Sequence, residues 1–282
     1  IPEKGKKKTV ISLAIIDNGT GMNQEMLVPA LSFGGTDRHG GNGLFGRYGF
    51  GLPAASIYIS EMVKVFSKTR DMDDWYEGEL DLAKVRSGLL TNPDTGVAEF
   101  REPELSKEGL PKYVKDYLAE KGLQLGHGTV VLLKPDRLTS GYKAPTSFVD
   151  KVLRYAGQTY RNFLDTVDIF VDGNIVRPID PLFLTPGAEN HDIGSGSNAT
   201  TRPFKEIEMK NSQGQVGKIR FRISFLDPEG FRELKTNSKQ MERFKLIKDQ
   251  NCLFHVTRAG RQIDRVSVSQ FKDKISLVNN DR

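Results

Sequence analysis

The β-branched, apolar run Thr9-Val-Ile-Ser-Leu-Ala-Ile-Ile16 stops at Asp17-Asn-Gly-Thr-Gly21, and this junction constrains the chain more than any other stretch. Such a run reads as a buried strand, and the turn formers end it sharply. One carboxylate, Asp17, is thereby set at the mouth of a sheet, where it can accept a hydrogen bond from an exocyclic amine. Gly19 and Gly21 beside it let a flat ring approach the backbone. Asn23 can cap a helix over Gln24 to Leu31, which Pro29 shortens or kinks.

Two further glycine-bearing segments come later in the chain. Residues 34 to 51 are nearly half glycine and run into the small-residue helix Leu52-Pro-Ala-Ala-Ser-Ile-Tyr58. Within that loop, Gly46-Arg47-Tyr48-Gly49-Phe50-Gly51 offers unblocked backbone N–H groups at a helix start, where the dipole favours a polyphosphate. The third segment, Gly126-His-Gly-Thr129, opens a strand with a hydroxyl that can complete a polar pocket floor beside Asp17. Each segment alone is weak, because Asp-Asn-Gly is ordinarily a turn and a glycine run ordinarily a loop. The first arrangement suits adenine and the second a triphosphate, and what gives them weight is their joint occurrence in this order, each on the expected local element.

Strands are expected at Met62 to Ser67, Trp75 to Leu82 and Thr129 to Leu133, with a helix at Pro111 to Glu120; helices between neighbouring strands suggest an α/β sandwich. Apolar spacing predicts a long amphipathic helix from Ser147 to Leu164 as the boundary element. Beyond it come three hairpins, around Asp172-Gly173, Asn211 to Gly214 and Arg258 to Arg261, with a linker over Gly187 to Thr201. The division expected is therefore residues 1–146 and 147–282, the second part a hairpin-rich α+β domain. At 282 residues and 37% hydrophobic content, two cores are more natural than one. The single cysteine, Cys252, excludes an internal disulfide and fits a reducing compartment. No apolar run reaches the ~20 residues of a membrane span, and residues 1 to 8 lack a secretory pattern. Opening on Ile1, the sequence reads as a fragment whose beginning lies upstream.

The three segments together resemble the Bergerat-type nucleotide fold of the GHKL family, over nearly all of residues 9 to 134. That family includes gyrase-type topoisomerases, ninety-kilodalton heat-shock chaperones, sensor histidine kinases, MutL and MORC proteins. The resemblance implies an α+β chain: a Bergerat-type α/β sandwich ATPase domain followed by a transducer-like domain. It implies that Asp17 contacts the adenine amino group, that Gly21 and Met22 line the base, and that Gly46 to Gly51 form a lid over the phosphates. Leu31-Ser-Phe-Gly-Gly-Thr-Asp-Arg38 with Gly43-Leu-Phe-Gly46 is more similar to MORC and MutL lids, including prokaryotic relatives, than to those of kinases.

This resemblance implies an ATPase using ATP and Mg2+, whose lid closure drives pairing of two copies into a clamp, in the cytoplasm or, in a eukaryote, the nucleus. Hydrolysing members carry a glutamate base and a magnesium-holding asparagine on a helix before the Asp17 strand. Neither is present, so no catalytic residue and no metal ligand is assigned, and Glu25, on the wrong side of the strand, does not substitute. Lys235 or Lys239 is the candidate for the lysine that a transducer domain sends to the terminal phosphate, although such a charged run is more often a solvated face. A MORC-like or MutL-like clamp would engage DNA, a chaperone would engage polypeptide, and a net charge of +5 does not choose between them. A nucleotide-holding module without turnover is a further alternative. A histidine kinase fits less well, because a hairpin-rich domain comes after the nucleotide domain. His39, His127, His191 and His255 lack metal-ligand spacing.

Overall fold

The structure, a computed structural model, describes residues 9–32, 49, 51–90, 93–94, 101–189, 191, 199–201, 203–225 and 253–267. The chain divides into two compact units, Ile1–Phe148 and Val149–Arg282.

The first unit is built on an antiparallel sheet of order β1-β5-β2-β3-β4, comprising β1 Leu13–Asp17, β2 Met62–Lys68, β3 Tyr76–Asp81, β4 Glu104–Leu105 and β5 Gly128–Leu133. Period-two alternation sorts its side chains to two faces. On one face, Val63, Val65, Val131 and Leu133 form a core with Leu27 and Leu31 of helix α1 (Gln24–Leu31), against which Leu52, Ile57 and Ile59 of helix α2 (Gly51–Ile59) pack. A short helix α3, Leu82–Arg86, continues from β3, capped by the Asp81 carboxylate. On the other face, Phe66 and Val130 meet Leu110 and the buried Val114 and Leu118 of helix α4 (Lys112–Glu120).

Local chemistry explains the element ends. Asn23 Oδ1 accepts from Met26 N at 3.0 Å, so α1 begins where a side chain can satisfy its first free N–H. Pro29 is accommodated inside this two-turn helix. The last turn of α2 is held by Arg137, which donates to Ile57 O at 2.9 Å and to Glu61 at 2.6 Å, while Lys134 N donates to Ser60 Oγ at 3.1 Å. The C-terminal end of α2 is thus tied to the Leu133 end of β5, remote along that strand from Gly128.

After the four-residue helix α5, Ser140–Lys143, helix α6 runs from Pro145 to Thr159. It is shorter than the helix expected to Leu164. Residues 160–166 instead form successive tight turns, with Phe163 N donating to Tyr160 O and Thr166 N to Phe163 O, three residues back instead of four.

In the second unit, β6 (Phe170–Val171) and β7 (Asn174–Ile175) close on Asp172 and Gly173 at φ 50° and 77°, the left-handed pair of a two-residue hairpin turn. The short strands β8 (Thr200–Thr201) and β11 (Ser224–Phe225) pair with each other. Between them in the chain, β9 (Lys205–Lys210) and β10 (Val216–Phe221) pair around Asn211, whose Oδ1 accepts from Gln213 N and Gln215 N. Strands β12 (Leu253–Arg258) and β13 (Arg261–Ser267) turn at Ala259 and Gly260, again with positive φ. Lys235, Lys239 and most of the 187–201 linker lie outside the described residues.

Candidate functional site

The ends of three strands meet in one row. Asp17 stands opposite Thr129, and Thr129 stands opposite Ser67. Directly opposed residues of antiparallel strands point to the same face, so a carboxylate and two hydroxyls line up on the face that carries α1 and α2. Apolar rows lie further along that face, Ile15 beside Val131 and Val65, then Leu13 beside Leu133 and Val63. The polar row is therefore the rim of an apolar core face. Ser67 is fully buried, Thr129 is 9% exposed, and Asp17 is open to solvent at the edge strand.

Above this row the chain from Asp17 to Met22 is clasped from both sides. Gly19 N donates to Asp17 Oδ1 at 2.9 Å, which leaves the second carboxylate oxygen for a ligand. Met22 N donates to Ser67 Oγ at 2.8 Å. Two glycines are demanded by close backbone approach. Gly21 holds φ +71°, and a Cβ there would lie 1.9 Å from Lys68 O; Gly128 holds φ +124°, and a Cβ there would lie 2.0 Å from Asp17 O. By contrast, a Cβ at Gly126 or Gly51 meets nothing within 4 Å. Of the residues expected around a base, the fold thus brings Asp17, Gly19, Gly21, Met22 and Thr129 together.

Three participants were not singled out by the residue pattern. Ser67 joins Met22, Gly128 O at 3.0 Å and Thr129 Oγ1 at 3.0 Å. His127 Nδ1 lies 2.7 Å from Gly19 O, and Arg70 Nε donates to His127 Nε2 at 3.0 Å. A carbonyl only accepts, so Nδ1 carries the proton and Nε2 is the acceptor for Arg70. A sequence signal for Ser67 exists: it continues the phase of Val63 and Val65 on its strand, a hydroxyl where a third buried aliphatic would be expected. For His127 and Arg70, which are 57 residues apart, no such signal exists.

At the expected phosphate end, Gly46, Arg47, Tyr48 and Phe50 lie outside the described residues. Gly49 has φ +65°, and Gly51 begins α2. Leu52, in the first turn of α2, packs against the same core cluster as Met22. Among the described residues, no group of three or more His, Cys, Asp and Glu side chains could hold a metal ion, and no helix is long and apolar enough to cross a membrane.

Residues 2–107 match the family model described as histidine kinase-, DNA gyrase B-, and HSP90-like ATPase. The match supports a GHKL-type ATPase domain over that span, a domain type that binds ATP, usually with Mg2+. It includes the Asp17 loop, α1, α2 and Ser67 and ends before β5. No curated protein matches the chain.

Proposed function

We propose that the chain binds ATP with its adenine over the Asp17–Thr129–Ser67 row, and that binding closes the loop over residues 35–51 and pairs two copies of the protein. The observation that carries this reading is the row itself: an outward carboxylate beside a buried hydroxyl pair, with glycine backbone on either side at distances no side chain could tolerate. Such a floor fits a flat ring bearing an exocyclic amine. The Asp17 oxygen not engaged by Gly19 accepts from the amine, and the Gly19–Met22 backbone covers the ring. The phosphates then lie toward Gly46, Arg47, Tyr48, Gly49, Phe50 and Gly51, where the start of α2 supplies free N–H groups.

Mg2+ accompanies the triphosphate and neutralises its charge; no side chain among the described residues is assigned to it. Hydrolysis resets the closed state, and ATP acts as the ligand that shifts the population from open to closed. A second domain of transducer type in residues 147–282 would transmit the closure, in the manner of a MORC-like or MutL-like clamp with DNA as its client.

Calorimetric titration with a nonhydrolysable ATP analogue tests the site. Asp17→Ala should weaken binding by at least about tenfold, since it removes the acceptor for the amine; undiminished affinity rejects the site. Light scattering of the full-length protein with saturating analogue tests the clamp: the mass should double, and a persistent monomer rejects pairing.

A further inference from the structure

Ser67 has three polar neighbours and one proton, and this fixes how the row is polarised. A hydroxyl donates once and accepts twice. Met22 N–H can only donate, so it occupies one lone pair of Ser67 Oγ at 2.8 Å. Gly128 O can only accept, so the contact at 3.0 Å takes the Ser67 proton. The remaining contact, Ser67 Oγ to Thr129 Oγ1 at 3.0 Å, is then a hydrogen bond only if Thr129 donates. This is the one arrangement in which all three contacts are satisfied. Ser67 is fully buried, so water cannot replace any of these partners, and leaving one unmade is costly.

We propose that Ser67 is a specificity-determining residue: by claiming the Thr129 proton it turns the floor of the site into a surface of acceptors only, which selects a 6-amino purine over a 6-oxo purine. Thr129 Oγ1 keeps lone pairs alone for the side facing Asp17, and the Asp17 carboxylate also only accepts. An amine meets both favourably. A carbonyl at the same position meets two oxygens with no proton between them, and a site built this way rejects the wrong group strongly. Ser67 acts through Thr129 and Met22 without touching the base itself, so its influence falls on discrimination as well as on affinity. The inference rests on the ATP reading of the row.

The test compares ATP with ITP, which differs in carrying a 6-oxo group and a proton on N1, by calorimetric titration of the full chain. The wild-type protein should prefer ATP. In Ser67→Ala the Thr129 hydroxyl is released to donate to an oxo group, and the ATP-to-ITP preference should fall by about tenfold, the equivalent of one relocated hydrogen bond. General loosening of the site would weaken both nucleotides in parallel and leave the ratio alone. Thr129→Val, isosteric and suited to a strand, provides an independent variant should Ser67→Ala not fold: it removes the opposing lone pairs and should also lower the ratio. A wild-type chain that binds neither nucleotide overturns the ATP reading and the assignment with it. A chain that prefers ATP, with the same preference in both variants, overturns the assignment alone.

Discussion

At the scale of single residues, the site is defined by where a Cβ cannot go. Gly21→Ala would place a methyl group 1.9 Å from Lys68 O at a left-handed φ, so the loop must lift from β2. Strain and overpacking together should cost about 2–5 kcal/mol in a thermal or denaturant melt. Gly126→Ala, two residues before the equally constrained Gly128, faces open space and should stay within about 0.5 kcal/mol of the parent. Equal losses in the two variants would refute this account of the glycines. His127 anchors the same loop through Gly19 O. His127→Ala should weaken ATP about three- to tenfold while the melt changes little, since the two hydrogen bonds removed, to Gly19 O and from Arg70 Nε, are both exposed. The carboxylate, its glycines and Thr129 were legible in the sequence because each belongs to a local pattern of strand end and turn. Ser67, His127 and Arg70 were not, because their roles come from partners 45 to 108 residues distant, joined only by strand register.

At the scale of elements, α6 and the loop after β7 show local and tertiary forces dividing the work. Apolar spacing favours helix through Leu164, but α6 ends at Thr159, and the turns beyond it are fastened to the β12–β13 hairpin: Asn162 donates to Gly260 O at 2.7 Å and Arg161 to Gln262 at 2.9 Å. A Cβ at Gly260 would come within 2.9 Å of the Phe163 ring, which shows how tightly the hairpin turn is packed there. In the segment 180–185, the buried Asp180 accepts from Leu182 N, Leu184 N, Thr185 N and Thr185 Oγ1, all between 2.8 and 3.0 Å. Burial alone would raise its pKa, but these four donors hold the carboxyl below the ordinary range. A depressed acid contributes stability that is full above its unfolded value near ~3.9 and is lost as pH falls through the folded value. Asp180→Asn should cost about 2–3 kcal/mol at neutral pH and shrink the loss of stability seen below about pH 4. Unchanged acid unfolding would show that the loop does not depend on the charge.

At the scale of the whole molecule, the histidine that answers to acid lies in β12, far along the chain from the residues proposed to hold the nucleotide. His255 in β12 is pushed down to about 4, first by burial and then by the Arg161 guanidinium. The folded chain therefore refuses a proton that the unfolded chain takes up from about pH 6.5 downward. Its contribution is complete above pH ~6.5, declines as pH falls toward about 4, and amounts to at most roughly 3 kcal/mol. On acidification the loss due to His255 should accordingly begin before the loss due to Asp180, and His255→Leu should remove that earlier loss from a melt series between about pH 7 and pH 4. ATP at about a hundredfold excess over Kd should add about 2.7 kcal/mol to the species that binds it. Slowed amide exchange at Met22 and along β5 would locate that gain, and its absence there would argue against the row as the base site.

The sequence by itself determined where the first strand gives way to its turn, the Asn23 helix cap, the hairpin turns at Asp172-Gly173 and Ala259-Gly260, and the candidate carboxylate, because these arise from periodicity and from φ preferences within a few residues. Only the tertiary structure decided that Asp17, Thr129 and Ser67 share a row, that a histidine and an arginine brace the loop above them, and that the amphipathic helix stops at Thr159. The physical reason is that side-chain period and turn propensity are local, whereas register and proton direction are properties of distant strands once paired, when each buried donor must find its acceptor.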